Sequence, residues 1–141
     1  MHRRRSTCPS IHISTWPARE QPIGGRIDLA DEQLMRCGGY DHNLVIDHQG
    51  APGPTLAARL LEPRSGRMLT VFTTEPGVQL YSGNALEIPA MDYGRRAGLT
   101  LETQHFPDSP NHPEFPDTVL RPGQALSSRT VYAFSAGRPG A

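Results

Sequence analysis

The acidic residue Glu102 lies in a short segment with the alternation of a β-strand, and a stiff loop follows it. Residues 99–104 (LTLETQ) alternate between two sides, and Glu102 stands in the polar row. The loop has prolines that fix φ and remove backbone donors. They are Pro107, Pro110, Pro113 and Pro116. Such a loop could form a pocket wall beside the strand. On residue type alone, however, a single glutamate on a strand is most often a solvated surface residue.

A second set of side chains in the same loop would suit a metal ion. His105 and His112 are separated by seven positions, and three carboxylates lie close to them in sequence. The carboxylates are Asp108, Glu114 and Asp117. Loops of this kind can supply ligands, but the spacing matches no zinc pattern. We therefore expect neither a metal ion nor a cofactor, and a metal site remains the rival interpretation of this loop.

Two kinds of covalent chemistry find no support in the chain. It contains no lysine, which excludes a Schiff-base lysine and the lysine of a phosphate-binding loop. It also contains no Gly-x-Ser-x-Gly segment, so a serine hydrolase of that type is not expected.

Short strands rather than helices must position the candidate residues. Alternation and turn signals predict strands over 43–47, 56–61, 68–74, 78–81, 99–104 and 130–135. The turn at 63–66 joins two of them in a hairpin. One short helix is predicted over 27–36, with Asp28 as its N-cap and Gly38 at its end. This pattern predicts an all-β fold, as a sandwich or a barrel-like arrangement.

Composition limits the class of partner. The formal net charge is zero, with 14 basic and 14 acidic residues, so we expect neither nucleic acid nor an anionic membrane as a partner. No apolar run reaches transmembrane length, and the first residues lack the apolar stretch of a signal peptide; a cytoplasmic protein is the expectation. Cys8 and Cys37 lack zinc or redox spacing and are expected to be ordinary thiols.

Three ordered segments resemble the galactose mutarotase (aldose 1-epimerase) family. The first is GYDHNL at 39–44, the second is TTEPGVQLYSGN at 73–84, and the third contains LETQHFPDSPN and FPDTVLRPG within 98–123. The similarity runs from about Gln21 to Ser135 and covers the C-terminal part of the family's domain, under half of it. The resemblance implies an antiparallel β-sandwich, of which this chain would be a partial domain.

The resemblance also implies a site and a reaction. Glu102 falls on the family's general base, and Asp41 and Gln79 fall on positions that bind sugar hydroxyls. The implied reaction is interconversion of the α and β anomers of free aldohexoses such as glucose and galactose, with no cofactor. On residue type alone, Asp41 would be a turn residue and Gln79 a polar strand residue on a solvated face.

One part of the implied site has no counterpart here. The family's general acid is a histidine in its N-terminal part, and none of the histidines outside GYDHNL stands in the motif that contains this acid. Those histidines are His2, His12, His48, His105 and His112. His42, next to Asp41, would point to the other side of an extended segment and is interpreted as structural. A non-catalytic carbohydrate-binding module and an inactive remnant therefore remain alternatives.

The sequence divides into three stretches. Residues 1–20 have no period and depart from the family pattern, so a disordered lead is expected there. Residues 21–136 are the stretch that resembles the C-terminal part of the epimerase domain. Residues 137–141 form a tail. The sequence does not indicate an oligomeric state.

Overall fold

The computed structural model describes residues 22–48, 50, 52–87 and 93–137. These residues form strands β1 (Asp41–Val45), β2 (Thr55–Glu62), β3 (Arg67–Thr73), β4 (Gly77–Tyr81), β5 (Thr100–Gln104) and β6 (Thr130–Ala136). Helical structure in the same ranges is limited to α1 (Glu32–Cys37) and two 3₁₀ turns, Ile23–Gly25 and Ser109–Asn111. None of these helices has the length and apolar character needed to cross a membrane. The predicted all-β class is confirmed, whereas the predicted lead (1–20) and most of the predicted tail (138–141) lie outside the described residues.

The described residues divide between two compact units. The first unit contains residues up to Val45 together with 79–102, and the second contains 46–78 together with residues from 103 onward. One three-stranded sheet has the order β1-β4-β5, and the other has the order β2-β3-β6. The three candidate site residues, Asp41, Gln79 and Glu102, all belong to the first unit.

In the first unit, the helix α1 is short because its capping residues stand close together. Asp31 is the N-cap, and its Oδ1 accepts hydrogen bonds from the backbone N–H groups of Gln33 (2.9 Å) and Leu34 (3.2 Å). Gly38 ends the helix in the left-handed conformation, at φ 67°. The prediction of Asp28 as N-cap is wrong, because that carboxylate pairs instead with the Arg96 guanidinium at 2.8 Å.

The last residue of α1, Cys37, was expected to be an ordinary thiol. It is not free: it takes part in a disulfide. The expectation is therefore wrong at this position.

The strand β1 begins earlier than its apolar residues suggest. The prediction placed it over 43–47, but it spans Asp41–Val45, because pairing with β4 starts at once after the helix. The backbone N–H of Ser82 donates to the Tyr40 carbonyl (3.0 Å), and that of Ile46 donates to the Pro76 carbonyl (2.9 Å). Residue numbers rise along one strand as they fall along the other, so the two strands are antiparallel. Asp41 therefore lies within a strand.

In the second unit, β3 is the central strand of an antiparallel sheet. It pairs with β2 through the hairpin at 63–66 and with β6 from Arg67–Ala136 to Thr73–Thr130. In the hairpin, the Glu62 carboxylate accepts the backbone N–H groups of Arg64 and Ser65; hydrogen bonds from Ser65 and these backbone groups lower the pKa of Glu62. In β3, Val71 and Thr73 are fully buried, so the core of this unit lies on their side of the sheet.

Threonine hydroxyls join β5 to β6 and β3 within the second unit. Thr130 Oγ1 lies 2.7 Å from Thr103 Oγ1 and 3.0 Å from Thr73 Oγ1. The Thr73 hydroxyl also accepts the backbone N–H of Glu75 at 3.1 Å. Each of these three hydroxyls therefore has a partner, and the chain is held at Thr103, directly after Glu102.

Candidate functional site

Asp41 and Gln79 are in direct contact on neighbouring strands. The Gln79 side-chain amide Nε2 donates a hydrogen bond to Asp41 Oδ1 at 2.7 Å. Both residues are half-buried, so the pair lies at the boundary of the unit rather than in its core. The bond fixes the Asp41 carboxylate, and both a carboxylate and an amide oxygen can accept more than one hydrogen bond. Adjacent hydroxyls of a small polyol match such a pair.

Glu102 lies in the middle of β5, the strand on the other side of β4. The sheet order β1-β4-β5 places the strand of Gln79 between the strands of the two carboxylates. The Glu102 side chain is exposed, and its Oε1 accepts a hydrogen bond from the Thr100 hydroxyl at 2.7 Å. That bond orients the carboxylate, and a carboxylate exposed in this way can accept a proton from a bound molecule.

The neighbouring histidine, His42, faces away from this pair. It is 1% exposed, and its Nδ1 accepts the backbone N–H of Asp41 at 3.0 Å. Burial lowers the pKa of His42, and the nearby charges of Asp41 and Asp31 act in the opposite direction. An imidazole held neutral in the interior supports the backbone of Asp41 rather than exchanging protons with a ligand. The structural interpretation of His42 agrees with this geometry.

The loop that suggested a metal ion uses its histidines in pairs with carboxylates. His105 Nδ1 lies 2.8 Å from Glu75 Oε2. His112 lies 3.0 Å from Glu114 Oε1 and 3.6 Å from Asp108 Oδ2, and its ring stacks on Phe115 with centroids 4.7 Å apart. Across the described ranges, no three or more His, Cys, Asp or Glu side chains converge as ligands for a metal ion.

A general acid is not identified beside the pair. Within the described part of the first unit, His42 is the single histidine, and its ring is buried. His48, His105 and His112 belong to the second unit. The arrangement therefore offers an exposed carboxylate, Glu102, and a hydrogen-bonded pair of polar side chains, Asp41 and Gln79.

Ser82 and Asn84 were missed as members of this site. Both stand in the SGN segment directly after β4 and contact the backbone that leads into Asp41. The signal was present in the YSGN end of the second resembling segment, but a serine and an asparagine beside a glycine are typical of any turn.

Comparison with protein families and solved structures agrees with the geometry. A family model described as aldose 1-epimerase matches residues 14–133. Among curated proteins, the galactose mutarotase of Homo sapiens is 40% identical over 108 residues, which cover 73% of this chain and 31% of that protein. The aldose 1-epimerase of Escherichia coli (strain K12) is 42% identical over 114 residues, which cover 77% of this chain and 33% of that protein.

A solved structure gives the same result at the level of the fold. The crystal structure of a GalM/aldose epimerase homologue from C. elegans superposes with a TM-score of 0.61 at 32% identity, covering 69% of this chain and 30% of that one. The described chain thus has part of a β-sandwich fold, as predicted. It spans about a third of the length of the curated relatives.

Proposed function

Because the chain belongs to the aldose 1-epimerase family, we propose that its site interconverts the α and β anomers of free aldohexoses. The observation that carries the proposal is the hydrogen bond between Gln79 and Asp41, in the sheet that also contains the strand of Glu102. The three residues stand in the three segments that resemble the family. Glucose and galactose are the proposed substrates, and hexose metabolism is the proposed setting.

The proposed mechanism is general acid–base ring opening. Glu102 takes the proton of the hydroxyl on carbon 1, the bond between carbon 1 and the ring oxygen breaks, and the ring oxygen receives a proton from an acid. Rotation of the resulting aldehyde and closure on its other face give the other anomer, and both protons return. A positioned base of this kind contributes about 10²–10⁴-fold to the rate.

Asp41 and Gln79 hold the sugar while this happens. The Asp41 carboxylate accepts a hydrogen bond from one sugar hydroxyl, and the Gln79 side-chain amide bonds to the neighbouring hydroxyl. The acid that protonates the ring oxygen is water or a group outside the described residues. Since the chain spans about a third of its relatives, the proposal concerns the base and the sugar-binding part of the site.

A carbohydrate-binding module without catalysis is the second candidate. The Asp41–Gln79 pair favours it, because this pair binds hydroxyls without help from an acid. An inactive remnant of the family's domain is the third interpretation. The division of the chain at residues 20 and 136 and a cytoplasmic location both stay predictions.

Polarimetry of freshly dissolved α-D-galactose separates the candidates. The proposed reaction predicts a rate above that of a buffer blank, in proportion to protein concentration. A binding module predicts the blank rate together with galactose-dependent shifts of the Gln79 side-chain amide in the NMR spectrum. A folded sample that shows neither a rate above the blank nor galactose-dependent shifts would indicate an inactive remnant.

A further inference from the structure

We infer that four side chains form a clamp on the backbone between α1 and β1, and that this clamp positions Asp41 for its contact with Gln79. The clamp consists of Ser82, Asn84, Arg95 and Arg96. Its members do not touch the sugar in this proposal; they act through Asp41. The inference rests on the proposed function for its catalytic meaning, but its geometry can be tested without any sugar.

The clamp side chains donate hydrogen bonds to three backbone carbonyls, those of Cys37, Gly38 and Tyr40. Asn84 Nδ2 donates to the carbonyl of Cys37 at 3.0 Å and to that of Tyr40 at 2.9 Å. Between them, the carbonyl of Gly38 accepts from Arg95 Nη2 at 2.6 Å and from Arg96 Nη2 at 2.9 Å. The last carbonyls of a helix have no partner within it. Asn84 gives the Cys37 carbonyl a partner, and the contacts with the carbonyls of Gly38 and Tyr40 fix the direction in which the chain leaves α1.

Ser82 ties the clamp to β4. Its buried hydroxyl oxygen, in a residue that is 4% exposed, accepts the backbone N–H of Tyr40 at 3.0 Å and lies 2.6 Å from Asn84 Oδ1. The Ser82 backbone N–H in turn donates to the Tyr40 carbonyl at 3.0 Å. Tyr40, directly before Asp41, is therefore bound to Ser82, three positions after Gln79.

The backbone between α1 and β1 turns at two glycines, so its direction depends on contacts such as those of the clamp. Gly38 and Gly39 have φ values of 67° and 143°, so two successive residues lie outside helical and extended geometry. A side chain at Gly39 would overlap Asn84 Oδ1, which shows how closely the amide packs on the chain. An error of about 1 Å at the start of β1 would remove the 2.7 Å bond between Asp41 and Gln79.

The test uses the side-chain amide of Gln79 as a reporter, in the absence of sugar. In Asp41→Ala the bond is missing, which defines the position of the unbonded NMR signal. We expect Asn84→Ala to move the signal most of the way to that position. Ser82→Ala should move the signal in the same direction, and this variant replaces Asn84→Ala in the test if Asn84→Ala does not fold.

Two controls separate positioning from general loss of structure. Asn111→Ala removes an asparagine whose amide contacts Asp108 in the proline loop, and it should leave the Gln79 signal unchanged. Val71→Ala removes a fully buried apolar side chain from β3, outside the clamp, and it should lower stability with the signal in place. A signal that stays in place in folded Asn84→Ala or Ser82→Ala, or moves equally in Val71→Ala, would overturn the inference.

The affinity for galactose then tests whether the clamp matters for sugar binding. If galactose binds the wild-type chain, Asn84→Ala should weaken binding about tenfold, the equivalent of one lost hydrogen bond, whereas Asn111→Ala should not. Unchanged affinity in Asn84→Ala would contradict the positioning role. Absence of binding to the wild type would count against the proposed function alone, because the amide signal reports on the clamp independently.

Discussion

At the scale of single residues, Asp41 is held from three directions, and this is what makes it a credible ligand for a sugar. Gln79 bonds its carboxylate, the His42 ring accepts its backbone N–H, and the clamp fixes the residue before it. A turn aspartate, as its residue type alone suggested, would have no need of these contacts. His42 is the next residue, but Gln79 and the clamp come from distant parts of the sequence, so no local pattern could have indicated those contacts.

The buried imidazole of His42 predicts a specific dependence of stability on pH. Burial lowers its pKa below the ordinary value near 6.5, so the folded protein stays neutral at His42 while the unfolded chain takes up a proton. The contribution of His42 is therefore complete above pH 6.5 and is lost as the pH falls toward the folded pKa.

His42→Asn tests this, since asparagine keeps an acceptor oxygen for the Asp41 backbone and does not titrate. The free energy of unfolding of the wild type should fall with a slope of up to about 1.4 kcal/mol per pH unit more than that of the variant as the pH drops below about 6.5. Urea denaturation at several pH values measures both slopes. Parallel curves would contradict the prediction.

At the scale of elements, alternation and turn residues predicted the strands well and the helix less well. β2, β3, β4 and β6 lie within one residue of their predicted bounds, because alternating side chains and the turn at 63–66 are local signals. The start of α1 was misplaced, since Asp28 and Asp31 are equally good caps by type. Arg96, more than 60 residues away in the sequence, pairs with Asp28, and Asp31 is the residue that caps the helix.

Asp28 and Asp31 make a matched pair for measuring what the helix cap contributes to the free energy of unfolding. Asp31→Ala should lower the free energy of unfolding by about 1 kcal/mol, because two backbone N–H groups at the start of α1 lose their acceptor. Asp28→Ala should have a smaller effect, since its exposed carboxylate pairs with Arg96 and does not cap the helix. Thermal or urea unfolding measures both, and the reverse order would show that Asp28 is the cap in solution.

At the scale of the whole molecule, the described residues bury few apolar side chains and expose many. Ile27, Leu34, Ile46, Val71 and Val78 are buried, whereas twelve large apolar side chains are exposed. Among the exposed ones, Val131, Tyr132 and Phe134 lie on β6, a strand at the edge of its sheet with no charged residue. An edge strand of this composition can pair with another copy of itself.

Self-association through β6 is therefore expected at high protein concentration. Phe134→Lys places a charge on the edge strand and should restore the monomer, because charged side chains on an edge oppose strand pairing. Leu126→Lys adds the same charge to an exposed apolar residue outside any strand and should not. Light scattering during size-exclusion chromatography measures the mass. If the two variants had the same mass in solution, the association would not depend on β6.

The central claim is that Glu102 is the base of an anomer-exchange site, and one comparison tests it most directly. Glu102→Gln keeps an oxygen that can accept the Thr100 hydroxyl but removes the charge. Glu114→Gln makes the same change at an exposed glutamate beside His112. In polarimetry with α-D-galactose, we predict that Glu102→Gln loses about 10²–10⁴-fold of the rate above the blank, or all of it, while Glu114→Gln keeps the wild-type rate. A Glu102→Gln variant as fast as the wild type would contradict the assignment.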